Sequence, residues 1–93
     1  MAALDLLGRR GTLRILWELR DGAAQTFREL QAAAELPPDT LNTRLRELRS
    51  VDIVDAESGY KLSKLGLQLR AALDPLWEWS AMWAKSLRPE KEK

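Results

Sequence analysis

Apolar residues recur at helical spacing through most of this chain, and the places where that spacing fails divide it into short elements. Ala2 to Leu7 reads as a short apolar helix ending near Gly8. From Thr12, the positions Leu13, Ile15, Leu16 and Leu19 repeat until Asp21-Gly22 stops them. Thr26-Phe27-Arg28-Glu29 has the form of a capping box, in which the Thr hydroxyl takes a free amide hydrogen and Glu29 reaches back. The helix it opens runs through Leu30 to about Ala34. Pro37-Pro38 closes one element and opens another, because proline suits the first turn of a helix. Leu41, Leu45 and Leu48 then bury one stripe.

After Ser50 the period changes to two. Ile53 to Ala56 and Tyr60 to Leu62 are short strands joined through Glu57-Ser58-Gly59 as a tight hairpin. Ser63 is the N-cap of a last helix over 63–87, which carries Leu65, Leu69, Ala72, Leu76, Trp79, Trp83 and Leu87 along one stripe. Pro75 predicts a kink in it. The class is mainly α with a small β-hairpin. Residues 1–88 make one domain and residues 89–93 a flexible charged tail.

Composition removes more functions than it suggests. With no Cys and no His, the chain cannot form disulfides, sense redox state through a thiolate, build a Cys/His zinc site, or use a His base or Cys nucleophile. The acidic residues are too scattered for a carboxylate metal site, so the expectation is no enzyme, no metal and no cofactor. No apolar run approaches the ~20 residues that span a bilayer. The starting charges follow the apolar stretch instead of preceding it, unlike a signal peptide. A cytoplasmic protein of bacterial type is the plain expectation. Lys+Arg 15 against Asp+Glu 14 leaves +1, so local charge has to decide whether a polyanion is a partner.

Two short helices joined by a tight turn, the second polar on its outer side and followed by a hairpin, predict a winged helix-turn-helix. With Leu41, Leu45 and Leu48 inward, Asp39, Thr43, Arg46 and Ser50 point directly away, flanked by Thr40, Asn42, Glu47 and Arg49. An Arg can fork onto guanine and an Asn onto adenine, so Arg46 and Asn42 are the candidates for base readout. Thr40, Thr43 and Arg44 suit phosphates, with Arg28 from the preceding helix; Arg49 and Lys61 complete the candidate DNA set. Against this stand Asp39 and Glu47 on the same face. From Val51 to Leu62 there are three acids to one base, whereas a wing that grips a minor groove usually wants Arg or Lys. The competing reading of the face is a solvated surface with ordinary pairs such as Arg44 with Glu47.

These residues carry a resemblance over nearly the whole chain. Leu7-Gly8, Thr12-Leu13-Arg14-Ile15-Leu16-Trp17-Glu18-Leu19, Gly22, Phe27-Arg28-Glu29-Leu30, the run from Pro38 to Leu48, Tyr60-Lys61-Leu62-Ser63 with Gly66, and Pro75 with Trp83 follow in an order and spacing similar to the HxlR-type (MarR-like) winged helix-turn-helix transcriptional regulators. The resemblance implies homodimers on pseudo-palindromic operators, one recognition helix per major groove. It also shows departures. Gly11 stands where the family usually has Trp, so packing beneath the first helix is missing or replaced. The wing is cut short and lacks its basic residue. Family members that sense oxidants use cysteine, which this chain does not have.

Four Trp, three of them in the last helix, exceed what one small core can hold. A dimer interface over Leu4, Leu7, Leu69, Leu76, Trp79, Trp83 and Leu87 is the simplest outlet, with Trp17 in the core. A pocket for a small hydrophobic effector at this aromatic cluster is the sharper reading; plain packing is the favoured one. The leading function is a homodimeric, sequence-specific DNA-binding regulator that reads the major groove with residues 38–50. The alternative is a winged-helix interaction module that has lost DNA binding through its short acidic wing.

Overall fold

The computed structural model describes residues 1–87, so Arg88 at the end of the expected domain and the expected tail at 89–93 lie outside the described residues. The elements run α1 (Ala2–Leu7), α2 (Thr12–Glu18), α3 (Phe27–Ala34), α4 (Pro38–Ser50), β1 (Val54–Asp55), β2 (Lys61–Leu62) and α5 (Lys64–Ser86). Both halves of the capping box at α3 are present. Thr26 Oγ1 accepts from the Glu29 amide at 3.0 Å, and Glu29 Oε1 accepts from the Thr26 amide at 2.9 Å. Glu35 ends α3 in the left-handed region at φ 55°, and Pro38 starts α4, leaving residues 35–37 as the turn. Leu30 of α3, Ile15, Leu16 and Leu19 from α2, and Leu41, Leu45 and Leu48 of α4 share one core with Ile53, Val54, Leu62 and Leu73.

The hairpin is less tight than its sequence suggests. Val54 pairs with Leu62 and Asp55 with Lys61, which leaves residues 56–60 as the loop. Tyr60 pairs elsewhere: it exchanges backbone hydrogen bonds with Gln25, at 2.9 Å and 2.7 Å. Ile53 precedes the strand because its amide is held by the Leu48 carbonyl and its own carbonyl accepts from the Ser63 amide, each at 2.9 Å. The wing is therefore pinned to the segment that leads into α3.

Ser63 caps α5 as expected, accepting from the Gly66 amide at 3.0 Å. The helix continues through Pro75, which removes one amide donor to the Ala71 carbonyl. Within the protomer, however, α5 buries a different stripe from the expected one. Gly66 and Leu73 are buried and Trp77 packs partly against the core, each one position on from Leu65, Ala72 and Leu76. Leu65, Leu76, Trp79, Trp83 and Leu87 remain about half exposed. Trp17, expected in the core, is 37% exposed. Ile15, Leu16 and Leu19 already fill the inner side of α2, so its indole packs edge-to-face on Trp77 at 5.1 Å with the Arg20 guanidinium 3.6 Å above it. At Gly11, φ is 89° and an added Cβ would lie 3.0 Å from Leu36 Cδ1. Leu36 fills the space a side chain at Gly11 would take.

Gly66 is where α5 crosses the strand region. A Cβ there would collide with the Ile53 carbonyl oxygen and press on Leu62. Helix propensity alone would make Gly66→Ala stabilising by about 1 kcal/mol. Overpacking instead predicts destabilisation of about 1–3 kcal/mol. Urea denaturation distinguishes the signs, and a midpoint at or above wild type would refute this packing.

Candidate nucleic-acid interface

Burial of the three α4 leucines sets which side chains the helix presents. Asp39, Asn42, Arg46, Arg49 and Ser50 are exposed, while Thr40, Thr43, Arg44 and Glu47 are half-buried along one edge. Arg28 on α3 and Lys61 on β2 are exposed as well. Among the described residues, the side chains of Arg28, Arg46, Arg49 and Lys61 have no ion-pair or hydrogen-bond partner. By contrast, Arg9, Arg14 and Arg44 are each paired with a carboxylate. These four unpaired cations lie on the helix-turn-helix and the wing.

The two acids that seemed to oppose a polyanion have local explanations. Asp39 lies in the first turn of α4, where a carboxylate favours the positive end of the helix dipole. Glu47 is neutralised from two directions. Arg9 Nη1 lies 2.9 Å from one oxygen and Arg44 Nη1 donates to both at 3.0 Å. This is the pair foreseen in sequence, at i,i+3, with an additional partner that sequence gave no sign of.

Arg44 stands apart from the other candidates. Its Nε donates to the Arg10 carbonyl at 2.8 Å, and its side chain is 19% exposed. It lies at the buried edge of α4, and its head is engaged by the Arg10 carbonyl and Glu47 instead of being free for a phosphate. The wing carries Glu57 and Ser58 exposed in its loop. Gly59 there adopts φ 98°, with an added Cβ only 3.1 Å from the Gln25 carbonyl oxygen. Phe27 packs edge-to-face on Tyr60 at 6.4 Å and holds the loop's exit near α3.

The candidate interface residues fall into two groups. Leu7 and Leu69 line an apolar groove with Leu6, Val51 and Leu65, bounded by Glu47 and Arg9; Leu4 is exposed on the same short helix. Leu76, Trp79 and Trp83 line a second groove with Leu13 and Trp17, and Leu87 is exposed at the end of α5. Trp79 and Trp83 stack with centroids 5.4 Å apart and planes 11° from parallel. No group of three acidic side chains among the described residues is placed to hold a metal ion.

Comparison with known proteins places this geometry. Residues 6–88 match the model of the HxlR-like helix-turn-helix family. An HTH-type transcriptional regulator of Methanocaldococcus jannaschii is 26% identical over 97% of this chain and 90% of its own length. Among solved structures, a possible HxlR family transcriptional factor from Thermoplasma volcanium GSS1 superposes with a TM-score of 0.80. It is 26% identical, over 88% of this chain and 81% of that one. Quinone-bound YodB from B. subtilis superposes at 0.78, with 28% identity over 87% of this chain and 93% of its own. A MarR family protein of Mycobacterium tuberculosis gives 0.69, with 25% identity over 97% of this chain and 71% of that one.

The acidic wing supplies a direct test of approach to a duplex. Glu57→Lys should strengthen binding to DNA of any sequence and steepen its salt dependence, by adding one phosphate contact. Unchanged affinity at low salt would mean that the hairpin stays away from the backbone.

Proposed function

The chain belongs to the HxlR-like helix-turn-helix family, whose members are winged helix-turn-helix transcriptional regulators, and we propose that it acts as a homodimer on a pseudo-palindromic operator with one α4 in each major groove. One observation carries this reading: α4 is held by its leucine stripe so that Asn42, Arg46 and Arg49 project together from the second helix of a helix-turn-helix, and both arginines are unpaired among the described residues. Arg46 reads guanine and Asn42 adenine. Thr40, Thr43, Arg28, Arg49 and Lys61 take phosphates. The interaction-module alternative, which rests on the short acidic wing, is not favoured, because the family match and the relatives are helix-turn-helix transcriptional regulators.

Dimerisation through Leu4, Leu7, Leu69, Leu76, Trp79, Trp83 and Leu87 is supported by the apolar surface of α5 beyond Pro75, which the protomer leaves about half exposed. A small hydrophobic effector would be held without covalent attachment, there being no thiol to add to a quinone or similar electrophile. The apolar groove between α1, α4 and α5 is an additional seat for it beside the Trp cluster. No helix among the described residues is long and apolar enough to cross a membrane, and the site of action proposed is the cytoplasm, where the DNA is.

Two measurements test the reading. Arg46→Ala should weaken binding to a selected operator by about 1–3 kcal/mol and relax preference at one base pair per half-site. An equal loss on every sequence would reassign it to phosphate, and no loss would remove α4 as the reading helix. Trp83→Ala should dissociate the dimer before it unfolds the winged domain, since truncating a buried Trp costs about 3–5 kcal/mol and a two-fold interface contains the residue twice. Sedimentation across concentration reads this directly. A wild-type monomer at tens of micromolar, or a fully dimeric mutant, would remove α5 as the interface.

A further inference from the structure

The segment joining α1 to α2, residues 8–11, is fastened to the flank of α4. Arg44 reaches back 34 positions to the Arg10 carbonyl, donating Nε at 2.8 Å. The same guanidinium holds Glu47 at 3.0 Å, and Glu47 in turn holds Arg9 at 2.9 Å. Inside the segment the Thr12 amide donates to the Arg9 carbonyl at 3.1 Å, and Gly11 turns the chain into α2 from the left-handed region. The backbone at Arg10 is therefore anchored to α4 by one neighbour's ion pair and by its own carbonyl. Its side chain is exposed, and no ion pair or hydrogen bond engages its guanidinium among the described residues.

The geometry of a helix in a groove gives that cation a target. The major groove is ~12 Å wide, and a helix with its side chains is about 10–12 Å across. Side chains at the centre of the exposed face thus meet base edges, whereas groups at the flanks meet the phosphate walls. The Arg44–Glu47 edge is such a flank, and Arg10 lies immediately beyond it. We propose that Arg10 is a phosphate contact of the DNA interface, supplied by the α1–α2 segment. Arg44 is a positioning residue that acts through the Arg10 carbonyl and does not itself touch DNA. The inference rests on the DNA-binding reading above and adds a contact from outside the helix-turn-helix and the wing.

The test is equilibrium binding of the full chain to duplex DNA of generic sequence across a salt series, for wild type, Arg10→Ala, Arg10→Lys, Arg44→Met and the Arg10→Ala/Arg44→Met pair. Arg10→Ala should make the slope of log affinity against log salt less negative by about 0.9 per bound chain, alike on all sequences, and Arg10→Lys should retain the wild-type slope. Arg44→Met keeps the side chain's apolar stem, should lose a similar slope, and should add nothing in the double variant. Thermal unfolding of Arg10→Ala should match wild type, since only an exposed side chain is removed. A steep wild-type slope that Arg10→Ala leaves unchanged would overturn the contact while leaving the DNA-binding reading intact. A double-variant loss of about 1.8 would make Arg44 a phosphate contact in its own right and overturn its positioning role. If Arg44→Met fails to fold, the Arg10→Ala and Arg10→Lys slopes still decide the contact. A flat wild-type slope would overturn the DNA-binding reading and this inference with it.

Discussion

The rotation of α4 about its own axis is the constraint on which the interface depends, and three leucines set it. Leu41, Leu45 and Leu48 are at most 2% exposed and meet α2, α3 and the strand region in a single core. Turning the helix by even one position would bring an arginine or a threonine inward. Burying an unpaired charge costs more than the leucine burial provides, so only one rotation is stable. That rotation sends Asn42, Arg46 and Arg49 outward. The angle between α3 and α4 is fixed by equally local means: a left-handed residue at Glu35 ends one helix and Pro38 starts the next within the span of Leu36 and Pro37. A handful of steric facts therefore aims the polar face.

Net charge says little about such a surface, because pairing matters more than totals. Carboxylates occupy the cations at the edges, namely Arg9 and Arg44 with Glu47 and Arg14 with Glu18. Ion pairs in full contact with solvent contribute little stability, a median near ~0–1 kcal/mol, and these pairs are only partly shielded, Arg44–Glu47 the most. Their consequence is geometric. Glu47 fastens the α1–α2 segment to α4 and removes its own charge from the neighbourhood of Arg46. A chain of nearly balanced composition can thereby present a locally cationic face.

What could be read from sequence was what is encoded within a few residues. Capping at Thr26 and Ser63, proline at the start of α4 and the leucine period all act over one or two turns, and the helices they delimit match the sequence reading. The pairing of Gln25 with Tyr60 joins two residues far apart in the chain and has no periodic signature. That is why the hairpin seemed tighter than it is. The wheel position of Arg44 suits a phosphate, and its tie to the Arg10 carbonyl, 34 positions away, is likewise a long-range fact. Residue type alone puts Trp17 in the core, but Ile15, Leu16 and Leu19 fill the inward face of α2. In the candidate interface, periodicity identifies Asp39, Arg46 and Ser50 as outward but also Thr43, which is half-buried, and only tertiary contacts separate the side chains that are free from those that are engaged.

The last helix poses a problem of length that its sequence already contained. Twenty-three residues at a rise of 1.5 Å extend ~35 Å, whereas the molecule measures only 27 × 24 Å across its shorter axes. Along the 50 Å long axis the core covers only the first part of α5, and it does so with Gly66 and Leu73, the small residue admitting the Ile53 carbonyl and the large one filling the space beyond. Past Pro75 the inward stripe has Trp77 leaning on Trp17 and then ends. The stripe beside it continues through Leu76, Trp79 and Trp83, which the described protomer leaves about half exposed. Two apolar stripes on one helix with different partners make two energetically separate tasks. The proximal stripe belongs to the stability of the winged domain. The distal one gains its stabilisation only when something apolar lies across it, so its tryptophans can change without disturbing the leucines that aim α4.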